Sequence, residues 1–408
     1  MLVIQLQRYK LSLKNAHKSY NFRTFAAQTV FETLVKARIL ILSIMYEQIS
    51  KFTIYLMLYA SVAVLNLIAC CYLLLRQGNA FAADITSPVR LRRWVAALFA
   101  SIFLSHLWYL PSNFLTSSDD AKLIFLLGGL LDTMTVFPLA IAILFVMLQD
   151  RRRPLWPCEV LVAPLVAGMA WCVANRSDAL LPILYVYLIL LCIGLTIYMV
   201  RALRQYGRWL RDNYADLEHK ELWQSFMVLG IILLMFGIYA MSGKALLYES
   251  LLQSNTIVLT CFLVWRVETL SDLNKRHSVP SAELTPPDNL RTSSPQDLTL
   301  LLQKYCIDTQ LYLQHDLTLT QLAQTIGTNR FYLSQYFSTQ GMTYNTYIND
   351  LRINHFVNHY REAVKTLRPF TAQQLAHESG YRSYSTFSLA FKQRMGQTVT
   401  AWMHDTAQ

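Results

Sequence analysis

The stretch Leu375–Trp402, LAHESGYRSYSTFSLAFKQRMGQTVTAW, decides how the end of this chain folds. Leu375 and Ala376 precede Gly380, and Phe387 and Phe391 follow it one helical turn apart. Residues four apart share one face of a helix. The pattern therefore predicts two short helices joined by a turn at the glycine, a compact hairpin suited to water.

Working outward, a related pattern stands 53 residues earlier in Leu317–Phe337, LTLTQLAQTIGTNRFYLSQYF. Leu322 and Ala323 match Leu375 and Ala376, Gly327 matches Gly380, and Leu333 and Phe337 repeat the four-residue step. The second turn is one residue longer. Two helices joined at a glycine form a helix-turn-helix, whose second helix can enter a DNA major groove. Thr328 is placed to cap that second helix through its hydroxyl. Between the hairpins, YINDLRINHFVNHYREAV belongs to a helix expected over Thr343–Val364. Its roughly 22 residues span about 33 Å, close to one turn of B-DNA at about 34 Å.

The rest of the chain is of another kind. The whole chain has 408 residues, 54% hydrophobic and only 15% charged, where soluble domains carry about 25% charged; mean hydropathy is +0.30. A bilayer core about 30 Å thick needs about 20 apolar residues in a helix. Seven spans are expected: Phe52–Leu75, Trp94–Leu110, Leu123–Leu148, Val160–Ala174, Leu180–Val200, Trp223–Met241 and Leu246–Val264. The fourth is short, and the seventh carries Glu249.

Loop charge orients these spans. Arg76, Arg90, Arg92, Arg93, Arg151, Arg152, Arg153, Arg201, Arg204, Arg208, Arg211 and Lys220 fall in the loops after spans one, three and five; the alternate loops hold Lys122, Arg176 and Lys244. Lys and Arg accumulate on the cytoplasmic side, so twelve against three places the first set and the C-terminus inside. Residues 1–51 are basic and fit this topology poorly; a long tail follows the charge rule only weakly, translation from Met45 would remove most of that charge, and Val30–Met45 reads alternatively as an interfacial helix. No cleavable signal peptide is expected, because the first thirty residues lack a long apolar core. Within the spans, Asn66, His106, Asp132 and Glu249 are the polar exceptions. An ionisable group at membrane depth costs several kcal/mol, about 3 on insertion scales, which marks Asp132 as the candidate signal-input residue.

After Leu270 the composition turns polar, with Pro280, Pro286, Pro287 and Pro295 in the next 27 residues. Residues 271–297 therefore read as a disordered linker with a reach on the order of 30 Å, and a site for proteolytic release of the tail. Four regions are expected: 1–51 basic, 52–270 transmembrane, 271–297 linker, and 298–408 helical. The fold class is all-α, a polytopic helix bundle followed by a small domain with two helix-turn-helix motifs.

Leu375-Ala376, Gly380-Tyr381, Ser383, Phe387-Ser388, Phe391-Lys392, Gly396 and Thr398 follow the second motif of one group of regulators, and Tyr347-Ile348 with Leu351-Arg352-Ile353 follow its connecting helix. Over the last hundred or so residues the chain resembles the DNA-binding domain of AraC/XylS-family transcription regulators. Gln335 and Leu389 stand where that family often has arginine, and Val399 where it has proline. The first change removes two long cations from the DNA side; the second loses only a fixed φ at a helix start.

With Leu333, Phe337, Phe387 and Phe391 inward, the outward residues are Asn329, Arg330, Ser334 and Gln335 on one reading helix and Tyr384, Ser385, Ser388, Leu389 and Lys392 on the other. Asn and Gln pair with adenine, Arg with guanine, and Leu389 can touch a thymine methyl. Arg382, Lys392 and Arg394 read as phosphate contacts. The net charge of +11 suits both DNA and anionic lipid.

No catalytic constellation, cofactor or metal is expected. The seven cysteines show no C-x-x-C spacing, and His355 and His359, four apart on a helix, lack the Glu of a zinc-protease motif. The expectation is a multi-pass protein of the bacterial inner membrane whose cytoplasmic tail binds double-stranded DNA. RNA polymerase, a small-molecule or membrane signal, and a second copy in a homodimer are the further partners left open. The alternative is a transporter or channel-like protein with a regulatory or protein-docking tail.

Overall fold

The computed structural model of the chain describes residues 45–407 except for 48, 77–78, 81–85, 116, 242–245 and 274–294. The basic N-terminal segment, the start at Met45 and the Val30–Met45 helix thus concern residues outside, or at the very edge of, those described, as does most of the 271–297 linker. Among the described residues there are helices and no strand, with one isolated bridge between Tyr214 and Thr318. Two compact units separate: residues 1–64 with 234–257, and residues 65–233 with 258–408.

Among the described residues, six helices are long and apolar enough to cross a membrane. They are α1 (Met45–Leu75), α2 (Val89–Tyr109) extended by a 3-10 turn to Asn113, the Asp119–Met147 span formed by α3 (Ser118–Met134) and α4 (Val136–Met147), α5 (Trp156–Ala174), α6 (Leu181–Asn213) and α8 (Leu246–Thr269). The two spans with the weakest sequence signals are among the six. Of the seven expected spans, the one not among the six is the sixth, α7 (Trp223–Met241), whose apolar helix is counted only over Trp223–Ile238. Glu249 lies in the first turn of α8, which explains why it does not interrupt the apolar run.

In the first unit, the described part of α1 carries a ladder of rings, with Phe52, Tyr55 and Tyr59 at successive centroid spacings of 6.4 and 5.9 Å. Tyr55, Tyr59 and Val62 are its buried face. In the second unit α3 packs on α5 and α2 on α4. The third span bends at Thr135, where φ is −117° and ψ −66°, three residues before Pro138. Proline has no N–H to donate there, and the Thr135 hydroxyl turns back to the Leu131 carbonyl at 2.8 Å.

Three of the polar exceptions in the spans, Asn66, His106 and Asp132, have partners on the helices. Thr260 Oγ1 donates to Asn66 Oδ1 at 3.1 Å, and His106 Nδ1 lies 2.7 Å from the Ile102 carbonyl. Ser105 Oγ donates to Asp132 Oδ2 at 3.2 Å, with Trp108 and Tyr109 flanking the carboxylate. Gly128 permits this approach, because a Cβ there would lie 2.4 Å from the Tyr109 ring.

Several of the loop cations are held inside the protein rather than solvated. Arg92 pairs with Glu268 at 2.8 Å and Arg153 with Asp150 at 2.7 Å, all four side chains nearly fully buried. The chain leaving α8 is pinned as well: the Ser271, Asp272 and Leu273 amides donate to His219 O, Thr86 O and Gln149 Oε1. The first three residues of the expected linker are therefore ordered.

From Pro295 the chain is helical again. A helix α9 (Pro295–Leu302) leads to α10 (Leu319–Ile326), α11 (Arg330–Thr339), α12 (Tyr344–Lys365), α13 (Ala372–Glu378), α14 (Tyr384–Met395) and α15 (Val399–Ala407). The long helix has 22 residues, as the sequence predicts. Thr318, Thr343, Thr371 and Ser383 each cap a helix start through a side-chain oxygen. The cap of α11 is Asn329, which accepts from the Phe331 amide at 2.9 Å, and not the expected Thr328. Its extended backbone puts a short amide side chain one residue nearer the first turn, where the free N–H groups are.

Candidate nucleic-acid interface

Each hairpin has its own core. Leu319, Leu322, Ala323, Ile326, Leu333 and Phe337 close the first against Tyr344 and Ile348 of α12. Leu375, Ala376, Tyr381, Phe387 and Phe391 close the second against Ile353, Phe356 and Tyr360 of the same helix. The four inward positions expected from the spacing, Leu333, Phe337, Phe387 and Phe391, are all buried. Because α12 supplies a wall to both cores, it fixes the separation of the two reading helices, α11 and α14.

That packing leaves Asn329, Arg330, Gln335, Arg382, Ser385, Leu389 and Lys392 exposed, with Ser334, Tyr384 and Ser388 half-buried. Tyr384 packs partly against the second core, its ring 5.8 Å from Phe387. Leu389 is 61% exposed, a large apolar side chain on an otherwise polar helix face. Two of the expected phosphate-contacting arginines have carboxylate partners: Arg382 lies 3.3 Å from Asp316, and Arg394 lies 2.7 Å from Asp350. Lys392 is exposed in the last turn of α14.

A feature with no motif to announce it lies beside this surface. The loop between α6 and α7 inserts against the helical domain. Ala215 joins the core of the first hairpin, and its amide donates to Leu317 O at 3.2 Å. Asn345 Nδ2 donates to Tyr214 O at 3.3 Å and also to Ala215 O. Asp216 takes Arg352 Nη1 at 2.8 Å and the Asp316 amide at 2.7 Å. Lys220, buried, donates to Asp316 Oδ1 at 2.9 Å and to Asp216 O at 2.7 Å. Finally, Glu218 Oε2 accepts from Ser383 Oγ at 2.8 Å and Thr386 Oγ1 at 3.0 Å, in the first turn of α14.

Arg352 is the centre of this arrangement. Its Nε donates to Tyr312 O and its Nη2 to Gln314 O, both at 2.8 Å, and its guanidinium lies 5.4 Å from the Tyr381 ring centroid. One sequence signal could have found it. Arg352 lies four residues after Ile348 and four before Phe356, on the apolar stripe of α12, and a charge on such a stripe requires a buried partner. Nothing in the sequence points to Asp216 and Glu218 as the acids that meet this domain.

His355 and His359 stack with ring centroids 4.1 Å apart, and His359 Nδ1 lies 3.9 Å from Glu378. Burial and the neighbouring His359 hold the His355 imidazole below its ordinary pKa, against a smaller opposing pull from Glu378. Among the described residues no group of three or more His, Cys, Asp or Glu is arranged to hold a metal. Burial pushes the Cys306 thiol up to about 12, which makes it a core residue rather than a nucleophile.

Residues 322–405 match a family model described as a helix-turn-helix domain. This supports the AraC-like DNA-binding domain seen in the sequence. No curated protein and no solved structure matches the chain.

Proposed function

We propose that this is a one-component regulator of the bacterial inner membrane. Its helices at 52–270 receive a signal in or across the bilayer, and its cytoplasmic domain at 298–408 binds promoter DNA. The observation that carries the reading is the pair of helix-turn-helix hairpins on one 22-residue helix, in a chain whose described residues include six helices fit to cross a membrane. Arginine gathers between spans one and two, three and four, and five and six, much of it at the ends of α2 and α6; with α7 as the sixth crossing and α8 as the seventh, this excess supports a cytoplasmic C-terminus.

On the DNA side, Asn329, Arg330, Ser334, Gln335, Tyr384, Ser385, Ser388 and Leu389 read base edges, while Arg382 and Lys392 hold phosphates. Asp132 belongs to the signal input: it is a carboxylate at membrane depth beside a helix bend, next to hydroxyl and indole groups that a ligand could rearrange.

Two measurements test the reading together. Reporter fusions after residue 270 should be active only as cytoplasmic fusions; periplasmic activity would overturn the orientation. Full-length protein in detergent micelles should shift fragments from a genomic DNA pool at low salt; no shift of any fragment would overturn the DNA assignment.

A further inference from the structure

We propose that the loop between α6 and α7 gates the second reading helix and leaves the first open, so that the docked protein holds DNA through its first hairpin alone. The inference rests on the DNA-binding reading above.

The N-terminal residues of a recognition helix are the ones that approach base edges, and the free N–H groups of a helix start attract phosphate. In α14 that position is already filled by an anion. Glu218 engages the cap hydroxyl of Ser383 and the hydroxyl of Thr386, both within the first turn. A DNA phosphate brought to the same turn would meet a like charge, and it would find these two donors spent. One anion fits there at a time.

Glu218 is held in place by its neighbours in the loop. Asp216 is fixed by Arg352 and the Asp316 amide, Lys220 by Asp316, and Ala215 by Leu317 O. Withdrawing Glu218 therefore requires the ends of α6 and α7 to move, which is the kind of shift a membrane signal can impose. By contrast, the loop's backbone contacts with the first hairpin fall at Leu317 and Thr318, ahead of α10 and one helix before the reading helix α11. Arg330 and Gln335 on α11 stay exposed. The gate is one-sided.

The test uses full-length protein in detergent micelles and a genomic fragment selected by the wild type. Dissociation constants and nuclease footprints are compared for wild type, Glu218→Ala, Glu218→Gln and Glu221→Gln. Glu221 is an exposed acid of the same loop, so its variant controls for net charge alone. The gate predicts binding on the order of tenfold tighter for Glu218→Ala, an intermediate gain for Glu218→Gln, and no change for Glu221→Gln. It also predicts a footprint longer by about one helical turn, roughly 10 base pairs. If the alanine variant fails to accumulate, the isosteric glutamine variant carries the comparison. Equal affinity and footprint for wild type and both Glu218 variants, or an equal gain in Glu221→Gln, overturns the gate while leaving DNA binding intact. Failure of every variant to bind overturns the DNA-binding reading itself.

Discussion

Arg352 on the helix that joins the two hairpins and Asp216 in the loop after α6 hold each other at 2.8 Å, with side-chain exposures of 0% and 7%. One ion pair thus ties the helix-turn-helix domain to the loop after α6 within the same unit. Removing one partner of a buried pair strands the other charge and costs about 3–5 kcal/mol. Arg352→Ala should lose most, because the carbonyls of Tyr312 and Gln314 lose their donor too. Asp216→Ala should cost less, about 3 kcal/mol, since those carbonyls still hold the guanidinium. The urea concentration at which α12 amides lose protection from hydrogen exchange measures both; unchanged protection in Arg352→Ala would refute this role.

Gly380 and Gly396 separate two costs of a left-handed backbone. Both have positive φ, +88° and +76°, but a Cβ on Gly380 would lie 2.8 Å from the Leu313 carbonyl oxygen, whereas Gly396 faces open space. Gly396→Ala should cost about 1–2 kcal/mol, the left-handed penalty alone. Gly380→Ala should cost clearly more, because a backbone atom must also move. Equal losses in thermal unfolding would contradict the packing around Arg352.

The lowered His355 pKa makes the second hairpin sensitive to acid. In the unfolded chain this imidazole titrates near about 6.5; in the fold, burial and His359 keep it neutral to lower pH. The unfolded state therefore binds its proton first, and stability is full above about 6.5 and declines as pH falls toward the folded value. His355→Gln should flatten that decline. A pH profile of hydrogen-exchange protection in α12, unchanged by the substitution, would count against it.

Lys392→Ala should weaken binding to all DNA sequences alike and lower the salt slope by about one unit. Arg382→Ala should do so less, because Arg382 must first leave Asp316 at 3.3 Å to reach a phosphate. A sequence-selective loss in Lys392→Ala would move that residue from phosphate to base contact.

Asp132→Asn keeps the shape of the side chain and removes its charge. The variant should insert normally and retain DNA binding, yet respond abnormally to the inducing condition. Wild-type induction at equal protein level would leave Asp132 a packing residue bonded to Ser105.

Most of the fold was legible because it rests on local periodicity. Phe387 with Phe391 and Leu333 with Phe337 specify their hairpins through four-residue spacing, and the apolar runs specify the spans by length. The cap of α11 shifted from Thr328 to Asn329, a one-residue change that turns on backbone angles at a turn. What remained hidden is long-range. Asp216 and Arg352 are 136 residues apart, and no periodicity links a short polar loop to a distant helix. Charge counting likewise places Arg92 and Arg153 between spans but gives no sign of Glu268 and Asp150, the acids that pair with them in buried positions.

The most direct test of the account is to cross-link intact cells, isolate the inner-membrane fraction, and sequence the DNA recovered with the full-length protein. A membrane-held regulator predicts a few discrete sites near promoters, lost when Arg330, Gln335 and Lys392 are replaced together by alanine. Recovery of genomic background alone, unchanged by that triple variant while the protein sits in the membrane, would contradict it.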